Sequence, residues 1–159
     1  MIMQIRSEEM NLPEPQQITV HDLGTADYEE ILRLWERAGL SVRLEGRDAR
    51  DTFARQMADH RQRIVGLRAG TKLVAVVVLT HDGRKGWINR LAVDPAHRRR
   101  GLAGRLIAEA ERWFTEDQGL EIWAALIEGA NRDSQALFAA LDYQRHDVVY
   151  VSKRTRPEA

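Results

Sequence analysis

The sequence predicts an α/β domain, a mixed sheet of six or seven strands with helices on both faces. Two observations carry that expectation. The run Leu73-Val-Ala-Val-Val-Val-Leu79 has no polar interruption, as in a strand covered on both sides. Along most of the 159 residues, strand-forming stretches then alternate with stretches of helical apolar period. That length suits one domain with a proper core. Residues 1–16 are polar, carry Pro13 and Pro15, and read as an N-terminal arm, leaving 17–159 as the single domain.

The elements follow in order. Residues 18–23 read as a first strand. Thr25 is placed to cap a helix whose Tyr28, Ile31, Trp35 and Ala38 share one face, and Gly39 is its stop. Residues 41–50 form a charged loop, and 51–60 a weaker helix carrying Phe53 and Met57. Residues 63–68 and 72–80 pair as a hairpin around Ala69-Gly70-Thr71. The turn at 81–85 leads to a strand at 87–93, which Asp94-Pro95 ends. A strand at 121–127, a helix at 134–141 and a closing strand at 148–152 complete the domain.

Chemistry concentrates after residue 91. The run Leu91-Ala-Val-Asp-Pro-Ala-His-Arg-Arg-Arg-Gly-Leu-Ala-Gly-Arg-Leu106 is a strand end, a turn and a basic loop that opens into a helix. Leu102, Leu106, Ala110 and Trp113 recur on one face of that helix, widened by Ala103, Ile107 and Phe114. A helix start offers free N–H groups and the positive end of the dipole, so it suits phosphate. Arg98, Arg99 and Arg100 add charge there, while Gly101, Ala103 and Gly104 leave room for a bulky anion. The Walker and dinucleotide fingerprints are both missing, since the chain contains no Lys-Ser or Lys-Thr pair and no Gly-x-Gly-x-x-Gly.

Composition narrows the function classes. Lys plus Arg balance Asp plus Glu at 24 each, which speaks against a general nucleic-acid binder. With no cysteine, thiolate metal sites, disulfides and cysteine nucleophiles are excluded. No His–Glu spacing suggests a metal site, and His81 and His97 read as turn residues. No apolar stretch approaches the ~20 residues of a membrane span, and the N-terminus lacks an apolar signal core, so a cytoplasmic protein is expected.

Arg98-Arg-Arg-Gly-Leu-Ala103 resembles the acyl-CoA signature Arg/Gln-x-x-Gly-x-Gly/Ala of the GNAT N-acetyltransferase superfamily. Residues 131–143 are similar to that family's second signature, and the element order fits from residue 18 onward. The resemblance implies a GNAT-like acyl-CoA N-acyltransferase fold that takes acetyl-CoA and an amine acceptor, with no metal. It implies that Leu91, Ala92 and Val93 bind the pantetheine arm through their backbone. The same resemblance implies that Arg98, Arg99, Arg100, Gly101, Leu102, Ala103, Gly104 and Arg105 hold the pyrophosphate. Asn131 and Phe138 flank the arm. Family members are often dimers, so a homodimer is an open expectation.

Catalytic residues stay unassigned at this stage. Where the family usually has the tyrosine that protonates the leaving thiolate, this chain has Phe138. Where members often place a basic glutamate, its strand carries Asn89 and Arg90. Glu128, His146 and Tyr150 are further candidates, and Tyr143 reads more readily as core. Asn131 reads equally as a helix cap, and Trp35 and Trp87 as packing anchors. Asp142 stands in a glycine slot after a helix, so a left-handed conformation is expected there. In the 41–50 loop, Arg43, Arg47 and Arg50 favour an acidic acceptor whereas Glu45 and Asp48 favour a cationic amine; sequence leaves that choice open. Two other readings stand beside the enzyme: a non-catalytic acyl-CoA-binding or regulatory module, and, least favoured, a nucleic-acid module.

Overall fold

Five strands make one sheet in the order β1-β2-β3-β4-β5 in the computed structural model, which describes residues 16–157. The N-terminal arm expected at 1–16 falls almost wholly outside them. Strands β1 (Ile18–Leu23), β2 (Gln62–Ala69), β3 (Lys72–His81) and β4 (Gly86–Val93) are mutually antiparallel; β5 (Trp123–Ala125) runs parallel to β4. The helices are α1 (Tyr28–Arg37), α2 (Arg50–Met57), α3 (Leu102–Arg112) and α4 (Arg132–Ala140). A π-helical turn at Trp113–Asp117 extends α3.

The uninterrupted apolar run of β3 explains the layering, because its side chains feed two cores. Val74, Ala75, Val77 and Leu79 pack with Leu106, Ile107 and Phe114 on the α3 face. Leu73, Val76 and Val78 pack with Ile31, Leu34, Trp35 and Phe53 on the α1 and α2 face. Gly66 of β2 sits where a Cβ would meet Leu23 and Leu73 side-chain carbons at 2.6 Å, so only glycine fits without repacking.

Local signals mostly act as expected. Gly39 ends the first helix at φ 84°, Gly70 turns the hairpin at φ 60°, and Asp142 takes φ 64°. Thr25 does not cap α1. It lies in a 3-10 turn, Thr25–Asp27, where the Asp27 carboxylate instead accepts from the Gly24 amide at 2.9 Å.

The strand count of six or seven is corrected to five among the described residues. Residues 148–152 form no strand: Val148, Val149, Tyr150 and Val151 are 71–88% exposed. The expected strand at 121–127 contracts to three residues, so β5 offers a returning strand few hydrogen bonds. The end of the tail is held elsewhere. Arg43 donates to the Pro157 carbonyl at 3.1 Å, and Arg156 donates to the Glu45 carbonyl at 3.1 Å.

Candidate active site

The site begins at an irregularity in β4. Ala75 pairs with Val93 and Val76 with Ala92, but Val78 pairs with Asn89, so Arg90 and Leu91 together face Val77. Two residues opposite one make a β-bulge, which bends the strand and increases its twist. Arg90 takes φ 49° there, a left-handed conformation that costs a non-glycine residue energy. Its guanidinium stacks on the buried Trp35 ring at 3.9 Å and donates to the Ser41 carbonyl at 3.0 Å, contacts that hold the bulge.

Beyond the bulge, β4 leaves its parallel neighbour. Gly86, Trp87 and Ile88 pair with Trp123, Ala124 and Ala125, and the ladder ends there. Residues 89–93 therefore keep one edge paired to β3 and the other open. Leu91, Ala92 and Val93 lie on this open half, with Ala92 buried in the core on the α1 and α2 face. An extended chain could add to such an edge through its amides.

The basic loop follows directly. Asp94 ends β4 with its amide on the Val74 carbonyl at 2.8 Å, and its carboxylate accepts from the Ala96 amide at 3.0 Å. Arg37 at 3.1 Å and Lys72 at 3.3 Å pair with the same carboxylate. Burial pushes the Asp94 pKa up, but the Ala96 amide, Lys72 and Arg37 outweigh it and hold the group at about 2. The turn is thus pinned to β3 and α1. Arg98, Arg99 and Arg100 come out exposed, Arg99 at φ 60°, and Gly101 precedes α3 at φ 74°.

The first helical bond of α3 runs from the Arg105 amide to the Gly101 carbonyl at 3.1 Å. The amides of Leu102, Ala103 and Gly104 precede it and have no partner inside the helix. A Cβ placed on Gly101 or Gly104 would meet nothing within 4 Å, so the space before these amides is open. An acyl-CoA pyrophosphate fits such a cradle in charge and room. Arg105 differs from its neighbours: its guanidinium donates to the Ile18 carbonyl at 2.8 Å and ties α3 to β1.

The remaining candidates separate clearly. Asn131 caps α4, its side chain accepting from the Ser134 amide at 3.1 Å. Phe138 is buried and packs edge-on against Tyr143, with ring centroids 4.9 Å apart. Tyr143 donates its hydroxyl to Glu111 at 2.8 Å and accepts from the Trp123 indole at 2.8 Å. Burial first, then the Glu111 carboxylate, raise its pKa far above the ordinary phenol value. It is a structural link, as the core reading expects. Glu128, His146 and Tyr150 are exposed and have no side-chain hydrogen bond among the described residues.

Sequence reasoning missed the cluster at the bulge. Arg90, Trp35, Ser41 and Asp48 come from three segments: the sequence marked the 41–50 loop with Asp48 as shaping the acceptor and Trp35 as a packing anchor, but gave no sign that Arg90 joins them.

The profile of the Acetyltransferase (GNAT) family matches residues 27–143, which spans the bulge, the basic loop and α4. The chain belongs to the GNAT acetyltransferase family, and it is an enzyme of that acyltransferase class. Solved structures share the fold. The aminoglycoside acetyltransferase AAC(6')-Iy, solved with the bisubstrate analogue CoA-S-monomethyl-acetylneamine, superposes with a TM-score of 0.72. It is 19% identical, over 87% of this chain and 99% of that one. A GCN5-related N-acetyltransferase from Ralstonia eutropha JMP134 is 22% identical at a TM-score of 0.69, covering 86% of this chain and 99% of the other. The ribosomal-protein-alanine N-acetyltransferase of Brucella melitensis biovar Abortus 2308 is 17% identical at 0.67, covering 87% of this chain and 100% of the other. No curated protein matches the chain significantly. No helix among the described residues is long and apolar enough to cross a membrane, and no group of three metal-ligating side chains occurs among them.

Proposed function

We propose that the protein transfers the acetyl group of acetyl-CoA to a primary amine by direct attack. One observation carries this reading: the amides of Leu102, Ala103 and Gly104, without a hydrogen-bond partner among the described residues, open beside the unpaired half of β4. Pyrophosphate would bind those amides with Arg98, Arg99 and Arg100. The pantetheine arm would lie along Leu91, Ala92 and Val93, flanked by Asn131 and Phe138. A neutral acceptor amine then attacks the thioester carbonyl; the C–N bond forms, the C–S bond breaks, the nitrogen gives up a proton and the departing sulfur takes one up.

Backbone N–H groups on the open edge of β4 would stabilise the carbonyl oxygen as charge develops. Phe138 has no proton to give, and the Tyr143 hydroxyl is spent on Glu111. Proton transfer is thus left to solvent or to exposed Glu128, His146 or Tyr150, and holding amine and thioester together supplies most of the acceleration. Dependence on acetyl-CoA agrees with a cytoplasmic place of work.

Melting with and without acetyl-CoA tests the site. A ligand at a hundred times its dissociation constant adds about 2.7 kcal/mol to the native state, a clear rise in Tm. The Gly101→Val variant, strained at φ 74° and crowding the cradle, should lose most of that rise. No rise in the unaltered protein at millimolar acetyl-CoA would refute the proposal. The missing acid at Phe138 and Tyr143 favours a second reading, a non-catalytic acyl-CoA-binding module. It predicts the same melting shift but no thiol release with any amine.

We also propose that two copies associate through the exposed segment 148–151. Its β-branched residues suit strand pairing, and a twofold arrangement covers the segment of both copies at once.

A further inference from the structure

The acceptor end of the site holds more positive charge than it neutralises. The Asp48 carboxylate is buried and already committed: it accepts from the Arg43 amide at 2.9 Å and the Arg47 side chain at 3.4 Å, and lies 3.9 Å from Arg90. Arg47 and Arg90 both also reach the Ser41 carbonyl, at 3.4 Å and 3.0 Å, so two guanidinium groups share one carboxylate and one carbonyl. The buried Nε–H of Arg90 finds no acceptor among the described residues, whereas the Arg43 guanidinium is turned to the Pro157 carbonyl. A buried donor left unpaired costs free energy until something accepts from it.

The surroundings add to this imbalance. Arg90 is largely covered, at 18% side-chain exposure. Its pKa is lowered, by burial first; Asp48 works against that shift and Arg47 with it. Arg50 is not part of the excess, because Glu29 pairs with it. Glu45 points its charge to solvent. Beside the cluster, Val42, Arg43, Leu44 and Glu45 line an open cavity of about 240 Å³.

Position makes the charge relevant to the acceptor. Arg90 is the bulge residue immediately before Leu91, where the proposed thioester arm begins, and the 41–48 loop is docked on it. We infer that the Arg47 and Arg90 pair binds an anionic group on the acceptor, so that the substrate is an amine that also carries a carboxylate, such as an amino acid or short peptide. Guanidinium matches carboxylate in charge and in fork geometry, and a fixed anion orients the amine for attack. Polycationic amines such as aminoglycosides meet like charge here. This assignment rests on the acetyl-CoA reading above.

The test is a pair of matched panels followed by thiol release: amino acids and dipeptides with free carboxylates against their carboxamides, with neamine as the polycationic probe. At least tenfold higher kcat/KM for the acids is expected. Arg47→Gln and Arg90→Gln should each cut the acid-over-carboxamide preference in kcat/KM about tenfold, mainly through a higher KM for the acids. The melting shift with acetyl-CoA, measured on the same variants, should persist and reports that the fold and cofactor site are intact. Equal rates for acids and amides, a preference for neamine, or no turnover of any panel member while the acetyl-CoA shift persists would each overturn the assignment. Loss of that shift in the unaltered protein would instead overturn the acetyl-CoA reading.

Discussion

Asp94 holds the turn between strand and loop through one carboxylate, at 4% side-chain exposure. Its folded pKa of about 2 lies below the ordinary 3.8. The stabilisation is therefore complete above about pH 4 and disappears as pH falls toward 2. Arg37 and Lys72 reach the group from the solvent side, so screening trims the contribution to about 1–2 kcal/mol. Asp94→Asn should lose that much or more in urea unfolding at neutral pH, and its stability should change less than that of the unaltered protein between pH 4 and 2. Parallel pH profiles for the two would show that the carboxylate carries no such linkage. Asp142 presents the opposite case, a residue at φ 64° with no structural need for its side chain. Asp142→Gly should stabilise by up to about 1 kcal/mol, read as a higher Tm, because glycine adopts this conformation without strain. A lower Tm would mean the side chain contributes something the backbone argument omits.

Tyr143 links two elements, α3 through Glu111 and β5 through Trp123. Tyr143→Phe leaves the indole N–H and the carboxylate without this partner, so a loss of about 1–2 kcal/mol is expected. In the acetylation assay its kcat should stay within about twofold; a larger fall would return the hydroxyl to the chemistry. The elements themselves were mostly legible because their signals are local. The strand at Ile18–Leu23, the glycine stops at Gly39 and Gly70, and the helix after Gly101 each follow from a short stretch of chain. The basic loop was legible for the same reason, since donors, arginines and glycines adjoin one another. The bulge was not, because it is a register between β3 and β4 that neither strand encodes alone. Nor was the arginine excess: Glu45 and Asp48 look equivalent in sequence, and only burial shows that Asp48 is spent while Glu45 faces water.

At the scale of the molecule, residues 148–151 lack a covering partner among the described residues. Alternating or continuous β-branched residues at 71–88% exposure are unusual for a segment facing water permanently. The outer edge of β5 is likewise unpaired in the sheet order, and Ile122 and Leu126 flank it at 54% and 59% exposure. An open strand edge and an extended apolar segment satisfy each other's backbone groups when they meet. The tail is drawn from its own β5 toward the 41–48 loop by Arg43 and Arg156, and the proposed dimer would supply a second copy as its partner. Covering these side chains in both copies would bury on the order of 1,000 Å², the scale at which specific association begins. Sedimentation equilibrium at micromolar concentration should give twice the 18.2 kDa chain mass. A Val149→Lys, Val151→Lys double variant should sediment as a monomer and keep its melting shift with acetyl-CoA, since neither residue touches the phosphate loop. A monomeric mass for the unaltered protein at that concentration would refute the association.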